Sequence, residues 1–312
     1  MATASSAPIF APPTQPFLTL PATCRPHPLL LYGTAWKKTA TTSLVATALS
    51  AGFQGIDTAC QPKHYREDLV GAGLGSFLNS TGTPRGALFV QTKFTAPGGQ
   101  DLATIPYDPA APVAAQVARS VAASLANLGV AYLDAVLLHS PLATDAATLD
   151  AWRALERCVA AGTVHHLGIS NVTHAQLAAL HAAAATKPSI VQNRFYPATR
   201  WDRDVRRFCR DHGIVWQSFW TLTGNPELLA SEVVARVALA VLGDAAKREE
   251  GLYLLVLALG RGWEKGGGVA IMDGTTREEA MKGDLELVEK VGEVKESDLD
   301  EFKGLIGEVM VL

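Results

Sequence analysis

A chain of 312 residues that is 48% hydrophobic has enough apolar material to bury a full-sized core. Its 27 basic and 30 acidic residues leave a net charge of -3, so no electrostatic footprint favours nucleic acid or an anionic membrane, and neither is expected as a partner. Its 4 cysteines (Cys24, Cys60, Cys158 and Cys209) lack the paired spacing of a metal site and read as separate reduced thiols of a cytoplasmic protein.

Residues 1–21 are rich in Ala, Pro, Ser and Thr, with neither an early basic residue nor an apolar run. They read as a flexible or extended lead-in rather than a secretory signal. From Leu29 onward, short β-prone runs alternate with longer helix-prone stretches. The expected strands are Leu29–Tyr32, Gly55–Asp57, Ala87–Lys93, Leu133–His139, His166–Asn171, Ile190–Asn193, Ile214–Phe219 and Val269–Met272. Helical periodicity marks Val113–Leu128, Ala146–Ala161 and Thr173–Ala185, with Gly129, Gly162 and Gly213 closing helices. The stretch after Ser297 reads as a closing amphipathic helix. The longest apolar runs, such as Leu252–Leu259, are too short to span a bilayer.

Eight strands alternating with helices demand a parallel sheet, either closed or open, within one domain over residues 1–312. The polar strand ends separate the two. Asp57, Lys93, His139, Ser170–Asn171 and Gln192–Asn193 each finish a different run. A (β/α)8 TIM barrel gathers them at one mouth, whereas a doubly wound sheet strings them along an edge. The barrel is the expected fold. Thr95–Pro112, a Pro- and Gly-rich loop following the Lys93 strand, would then lie over the mouth.

Each polar end has an ordinary explanation by itself. Asp57 could cap a helix, Lys93 could extend its ammonium from the rim to water, and His139 could be a hydrogen-bonded core residue. As a set with Tyr65 they are chemically coherent. A carbonyl that accepts hydride needs a proton donor, and tyrosine is a weak acid unless a cation supports its phenolate. Lys93 can supply that cation, Asp57 can hold the ammonium, and His139 can orient the carbonyl oxygen. Two glycine clusters are set aside. Gly71–Gly75 (GAGLG) lacks phosphate-loop spacing and reads as a helix packing face, and Gly266–Gly268 precedes a strand instead of following one.

With these elements in order, the chain resembles the aldo-keto reductase superfamily over nearly its whole length. The matching segments are LYGTAW, GIDTA, FVQTK, LLHSP, GISN, VQNRFYP and a late GTT turn. The resemblance implies a barrel that uses NADPH, with NADH possible, to reduce a small carbonyl compound, with no metal. It implies Asp57, Tyr65, Lys93 and His139 as the catalytic set. It assigns Gly33, Thr34, Ser170, Asn171, Gln192, Phe219, Gly274, Thr275, Thr276 and Arg277 to the cofactor, and Trp36, Phe94 and Trp220 to the substrate pocket.

Two departures stand out. Pro62 occupies the family's usual tyrosine position, and Tyr65 takes the role if QPK is a short insertion, with His64 as its competitor. Asp273 stands about where the family holds the 2′-phosphate with lysine, and Glu279 or Ala280 about where it has arginine. A carboxylate there repels phosphate yet can accept a hydrogen bond from a free ribose hydroxyl. The alternative to an enzyme is a barrel of the same ancestry that holds cofactor without turnover, as a redox-sensing or interaction subunit.

Overall fold

The apolar runs pair in parallel and close on themselves in this computed structural model, which describes residues 17–20 and 25–308. A short antiparallel hairpin comes first, β1 (Phe17–Leu20) with β2 (Arg25–Pro28). The barrel strands follow as β3 (Leu30–Gly33), β4 (Gly55–Asp57), β5 (Phe89–Phe94), β6 (Leu133–Leu138), β7 (Val164–Ser170), β8 (Ile190–Arg194), β9 (Val215–Phe219) and β10 (Gly268–Asp273). Each pairs with its sequence neighbours, and β10 closes on β3, giving the expected (β/α)8 barrel. Among the described residues, no helix is long and apolar enough to cross a membrane.

Strand pleat sorts the side chains into two cores. Leu31, Phe89, Leu137, Ile190, Val215 and Ala270 form a cluster inside the barrel. Residues of opposite parity, such as Ile56, Val90, Leu138, Val191 and Ile271, pack outward against the helical layer. This alternation assigns a direction to every strand end. Asp57, Lys93 and Phe219 share the inward parity of the inner cluster, whereas Phe94 and Asp273 share the outward one.

The hairpin closes the barrel end opposite the mouth. Leu20 joins the inner cluster, and the buried His27 ring meets Phe89 edge-on at 4.7 Å. Residues 17–20 are therefore extended, as a strand; the rest of the expected N-terminal segment, like Cys24, lies outside the described residues. Gly71 and Gly73 sit within helix Glu67–Thr81, where close packing requires them. A Cβ on Gly71 would come 2.1 Å from the Asn127 carbonyl oxygen, and one on Gly73 would come 2.7 Å from that of Thr42.

Candidate active site

Lys93 is a deeply buried charge at the mouth, with 1% of its surface exposed. An isolated ammonium there would be prohibitively costly, so its surroundings must supply anionic and carbonyl acceptors. Its Nζ donates to Asp57 Oδ1 and Oδ2 at 2.6 and 2.5 Å and to the Thr58 carbonyl at 2.9 Å, using all three of its hydrogens. Burial still pulls its pKa below the ordinary lysine value, with Asp57 opposing that fall.

An amide network fixes Asp57 from beneath. Gln91 and Gln192 each donate through Nε2 to Asp57 Oδ1, at 2.7 and 3.1 Å. Both also reach Gln217 Oε1, at 2.9 and 2.8 Å, and Gln217 Nε2 returns a bond to Gln91 Oε1 at 2.9 Å. Gln91 and Gln217 were missed from sequence, though each stands two residues before an inward strand end, on the same face. Gln192, expected to meet the cofactor, is at least partly committed to Asp57.

Tyr65 lies above this pair, its ring centre 5.5 Å from Lys93 Nζ and 5.9 Å from the His139 ring. His64, its competitor, stacks instead on Trp36 at 3.8 Å, toward the outer rim. One expectation is not met. The Tyr65 pKa is raised well above its usual value, first by burial and then by the Asp57 charge. The Lys93 ammonium is spent on Asp57, so the phenol keeps its proton.

His139 follows β6 directly. Burial, aided by Lys93, pulls its pKa down to about 3, so the imidazole is neutral. Its Nδ1 is bonded to the Thr95 hydroxyl at 2.6 Å. The Thr95–Pro112 loop braces that contact from the rim. Tyr107 packs on Phe94 at 5.6 Å and donates to the Thr95 carbonyl, and Gln100 Nε2 reaches the Cys60 and Thr95 carbonyls at 2.8 and 3.2 Å. Thr95 and this bracing were not foreseen.

On the opposite side, Asn171 adopts a left-handed backbone (φ 54°). Its Nδ2 donates to the His139 carbonyl at 2.8 Å and to Ser170 Oγ at 3.1 Å, while its Oδ1 accepts from Arg194 at 2.7 Å. Because Ser170 Oγ accepts from Asn171, its own hydrogen remains to be donated. Half-buried Phe219 and exposed Trp220 flank the Arg194 guanidinium at 5.1 and 4.6 Å. Arg194 lies one residue beyond the expected strand end, which hid its role. Trp36 and Trp220 are both widely exposed at this end, 63% and 51%.

Three residues stand elsewhere than expected. Phe94 is fully buried on the outward face against Tyr107 and does not line the pocket. Thr34 is likewise buried, and its amide and hydroxyl are both spent on the Asp57 carbonyl at 3.0 and 2.9 Å. Asp273 is turned outward, 1% exposed, with Oδ1 accepting from the Thr275 amide at 2.8 Å. A carboxylate so withdrawn is not presented to a ribose hydroxyl. Gly33 is half-buried and tight, since a Cβ there would come 3.3 Å from the Asp273 carbonyl.

Residues 274–277 form the loop that opens helix Glu278–Lys290, with Arg277 exposed at its N-cap. Gly274 and Thr276 are exposed and Thr275 is half-buried. Lys37 Nζ donates to the Gly274 carbonyl, and the Tyr32 hydroxyl donates to that of Thr275 at 3.1 Å. Lys37 was overlooked because it is far away in sequence, although it directly follows LYGTAW.

Known proteins agree with this architecture. A model of the aldo/keto reductase family matches residues 31–229. The chain is similar to an uncharacterized oxidoreductase, YtbE, of Bacillus subtilis, 30% identical over 194 residues and covering 62% of each chain. It is 31% identical over 158 residues to a morphine 6-dehydrogenase of Pseudomonas putida, covering 50% of this chain and 47% of that one. The match thus spans between about half and three fifths of these two relatives' own length. A methylglyoxal reductase, DkgB, of Salmonella typhimurium is 28% identical over 243 residues, 77% of this chain and 79% of that one. Among solved structures, an aldo/keto reductase of Brucella melitensis superposes with a TM-score of 0.73 at 22% identity, covering 94% of this chain and all of that one. One from the silkworm Bombyx mori gives 0.75 at 18%, covering 96% of this chain and 90% of that one. The fold and the family match together carry one conclusion: the chain belongs to the aldo/keto reductase family.

Proposed function

We propose that the protein reduces an aldehyde or ketone to an alcohol with NADPH or NADH, with Tyr65 as the proton donor. The observation that carries this is the buried Asp57–Lys93 pair beneath a protonated tyrosine and beside a neutral histidine. A structural salt bridge needs no such neighbours at a rim.

The residues present suit a dinucleotide. Ser170 keeps a free hydroxyl hydrogen suited to a carboxamide, and Phe219 offers a half-buried ring for stacking. The threonines of Gly274–Thr276 precede a helix N-terminus, which favours a phosphate group. When bound, the reduced nicotinamide supplies the hydride.

The chain's own residues do the rest. We assign Thr95 as the donor in its 2.6 Å contact with Nδ1, which leaves the His139 hydrogen on Nε2, directed at the carbonyl oxygen. Tyr65 delivers a proton to that oxygen as negative charge develops on it. Asp57 and Lys93 hold the local charge fixed, and their amide scaffold spares the site from reorganising during reaction. The exposed indoles of Trp36 and Trp220 form apolar walls for a small carbonyl substrate.

The non-catalytic alternative drew on the displaced tyrosine; the edge-on approach of Tyr65 to His139 at 5.9 Å speaks for the enzyme instead. Mixing the protein with NADPH and a panel of aldehydes, while following reduced-nicotinamide absorbance, tests the reading. Cofactor binding without any aldehyde-dependent loss of absorbance would return the alternative.

A further inference from the structure

Away from the mouth, helix Arg203–His212 carries arginines at 203, 206, 207 and 210, the spacing of a single helical face. That face borders a cavity of about 410 Å³ completed by Leu259, Trp263 and Glu308. A row of arginines on a helix is ordinarily a solvated surface. Two features set this one apart.

Arg206 is 4% exposed, so its charge is withdrawn from water. Its Nε donates to the Trp201 carbonyl at 2.9 Å, and its Nη1 meets the Glu308 carboxylate. Its Nη2 is buried with no hydrogen-bond partner. A buried guanidinium with an idle donor pair is a costly arrangement unless an acceptor can reach it.

Gly307 and Glu308 meet these arginines in the manner of a ligand. Glu308 presents its carboxylate to Arg206, and Arg203 donates to the Gly307 carbonyl at 2.9 Å. Arg206 faces two carboxylates, the bonded Glu308 and, through its charge, the buried Asp202. The acidic partners of Arg203 and Arg210 are their own sequence neighbours, Asp204 at 3.3 Å and Asp211 at 3.1 Å. Arg207 is exposed and lines the cavity.

We propose that this cleft binds a small polyanion carrying two or more phosphate or carboxylate groups, and that Glu308 competes for its central arginine. Guanidinium forks at helical spacing suit paired oxyanions, and half-buried Trp263 offers an apolar wall for the rest of the molecule.

Calorimetric titration with inorganic pyrophosphate, and separately with citrate, tests this on the native chain and two variants. Arg207→Gln/Arg210→Gln removes exposed charge without disturbing buried Arg206, and circular dichroism checks that it stays folded. Glu308→Gln should tighten at least one of the anions by about tenfold or more, because the competing charge is gone. The double arginine variant should weaken the same anion by about tenfold or more. The anion that binds tighter identifies the phosphate or carboxylate class. Failure of both anions to bind the Glu308→Gln protein overturns the proposal, as does a change below tenfold on either substitution, which would locate the binding elsewhere.

Discussion

Asp57 and Asp273 each stand at the end of a barrel strand, and each is almost wholly buried, at 4% and 1% exposure. Their surroundings have little else in common. Asp57 points into the barrel and meets an ammonium and two amides. Asp273 points outward toward Asp284, a second carboxyl, on helix Glu278–Lys290. Burial raises the pKa of Asp273, and burial with the Asp273 charge pushes Asp284 up to about 8. The outer pair therefore shares a proton at neutral pH. One step of strand parity separates a carboxylate that anchors a charged site from one that is half of a neutralised pair.

The largest expected effects lie on the inner side. Tyr65→Phe removes the proton donor and leaves the Asp57 network untouched. Turnover with an aldehyde and NADPH should fall by about a hundredfold to ten-thousandfold. A parental rate would show that another group donates the proton. Lys93→Met should abolish turnover too, and it strands a buried carboxylate. Urea unfolding near neutral pH should then show a loss of about 3–5 kcal/mol. Adding Asp57→Asn should restore much of that stability but none of the activity. If the double variant is no more stable than Lys93→Met, the cost does not come from the stranded charge.

The outer pair should reveal itself through pH. Asp284 ordinarily titrates near 3.8 and here near 8, so between those values the folded chain holds a proton that the unfolded chain has released. Stability from this group therefore falls as pH rises through that window, at up to about 1.4 kcal/mol per unit. His27 and His139, both pulled down to about 3 from 6.5, act in the opposite direction below pH 6.5. About pH 6.5 to 8 is the interval in which these two no longer oppose the decline, and a comparison of the native chain with Asp284→Asn cancels the other buried carboxyls with raised pKa values, Asp202 and Glu67. There Asp284→Asn should flatten the decline seen by urea unfolding, and equal slopes in the two proteins would refute the shared proton.

The same parity argument explains what could be read from sequence. The eight strands were legible because polar residues end otherwise apolar runs, and their bounds moved by no more than about two residues. Asp57, Lys93 and His139 stood out for that reason. Phe94 was assigned to the substrate pocket and Thr34 to the cofactor, although alternation turns Phe94 away and Thr34 is spent on the Asp57 carbonyl. Gln91 and Gln217 look like stray polar residues until the barrel closes and brings them together across 126 positions. The β1–β2 hairpin was illegible because a four-residue strand among prolines gains its stability only by plugging the barrel.

The smallest expected effect concerns the choice of cofactor. With a lysine replaced by Asp273, the loop at residues 274–277 should repel a 2′-phosphate if that carboxylate faced it. The outward turn and the proton shared with Asp284 weaken that repulsion. Two cations stand close by: Lys37, bonded to the Gly274 carbonyl, and exposed Arg277 at the helix start. Neither is held against an opposing carboxylate in the bidentate way that Lys93 is, so each should add little selectivity. NADPH should be favoured over NADH by less than about a hundredfold, under roughly 3 kcal/mol. Arg277→Ala should weaken NADPH by about threefold to fivefold and leave NADH nearly unchanged, because only the former carries the extra phosphate. Fluorescence titration of the native chain and Arg277→Ala with both cofactors reads this directly. A preference of a thousandfold or more, indifferent to Arg277→Ala, would mean that the phosphate is held by other residues and that the parity of Asp273 has no bearing on the cofactor.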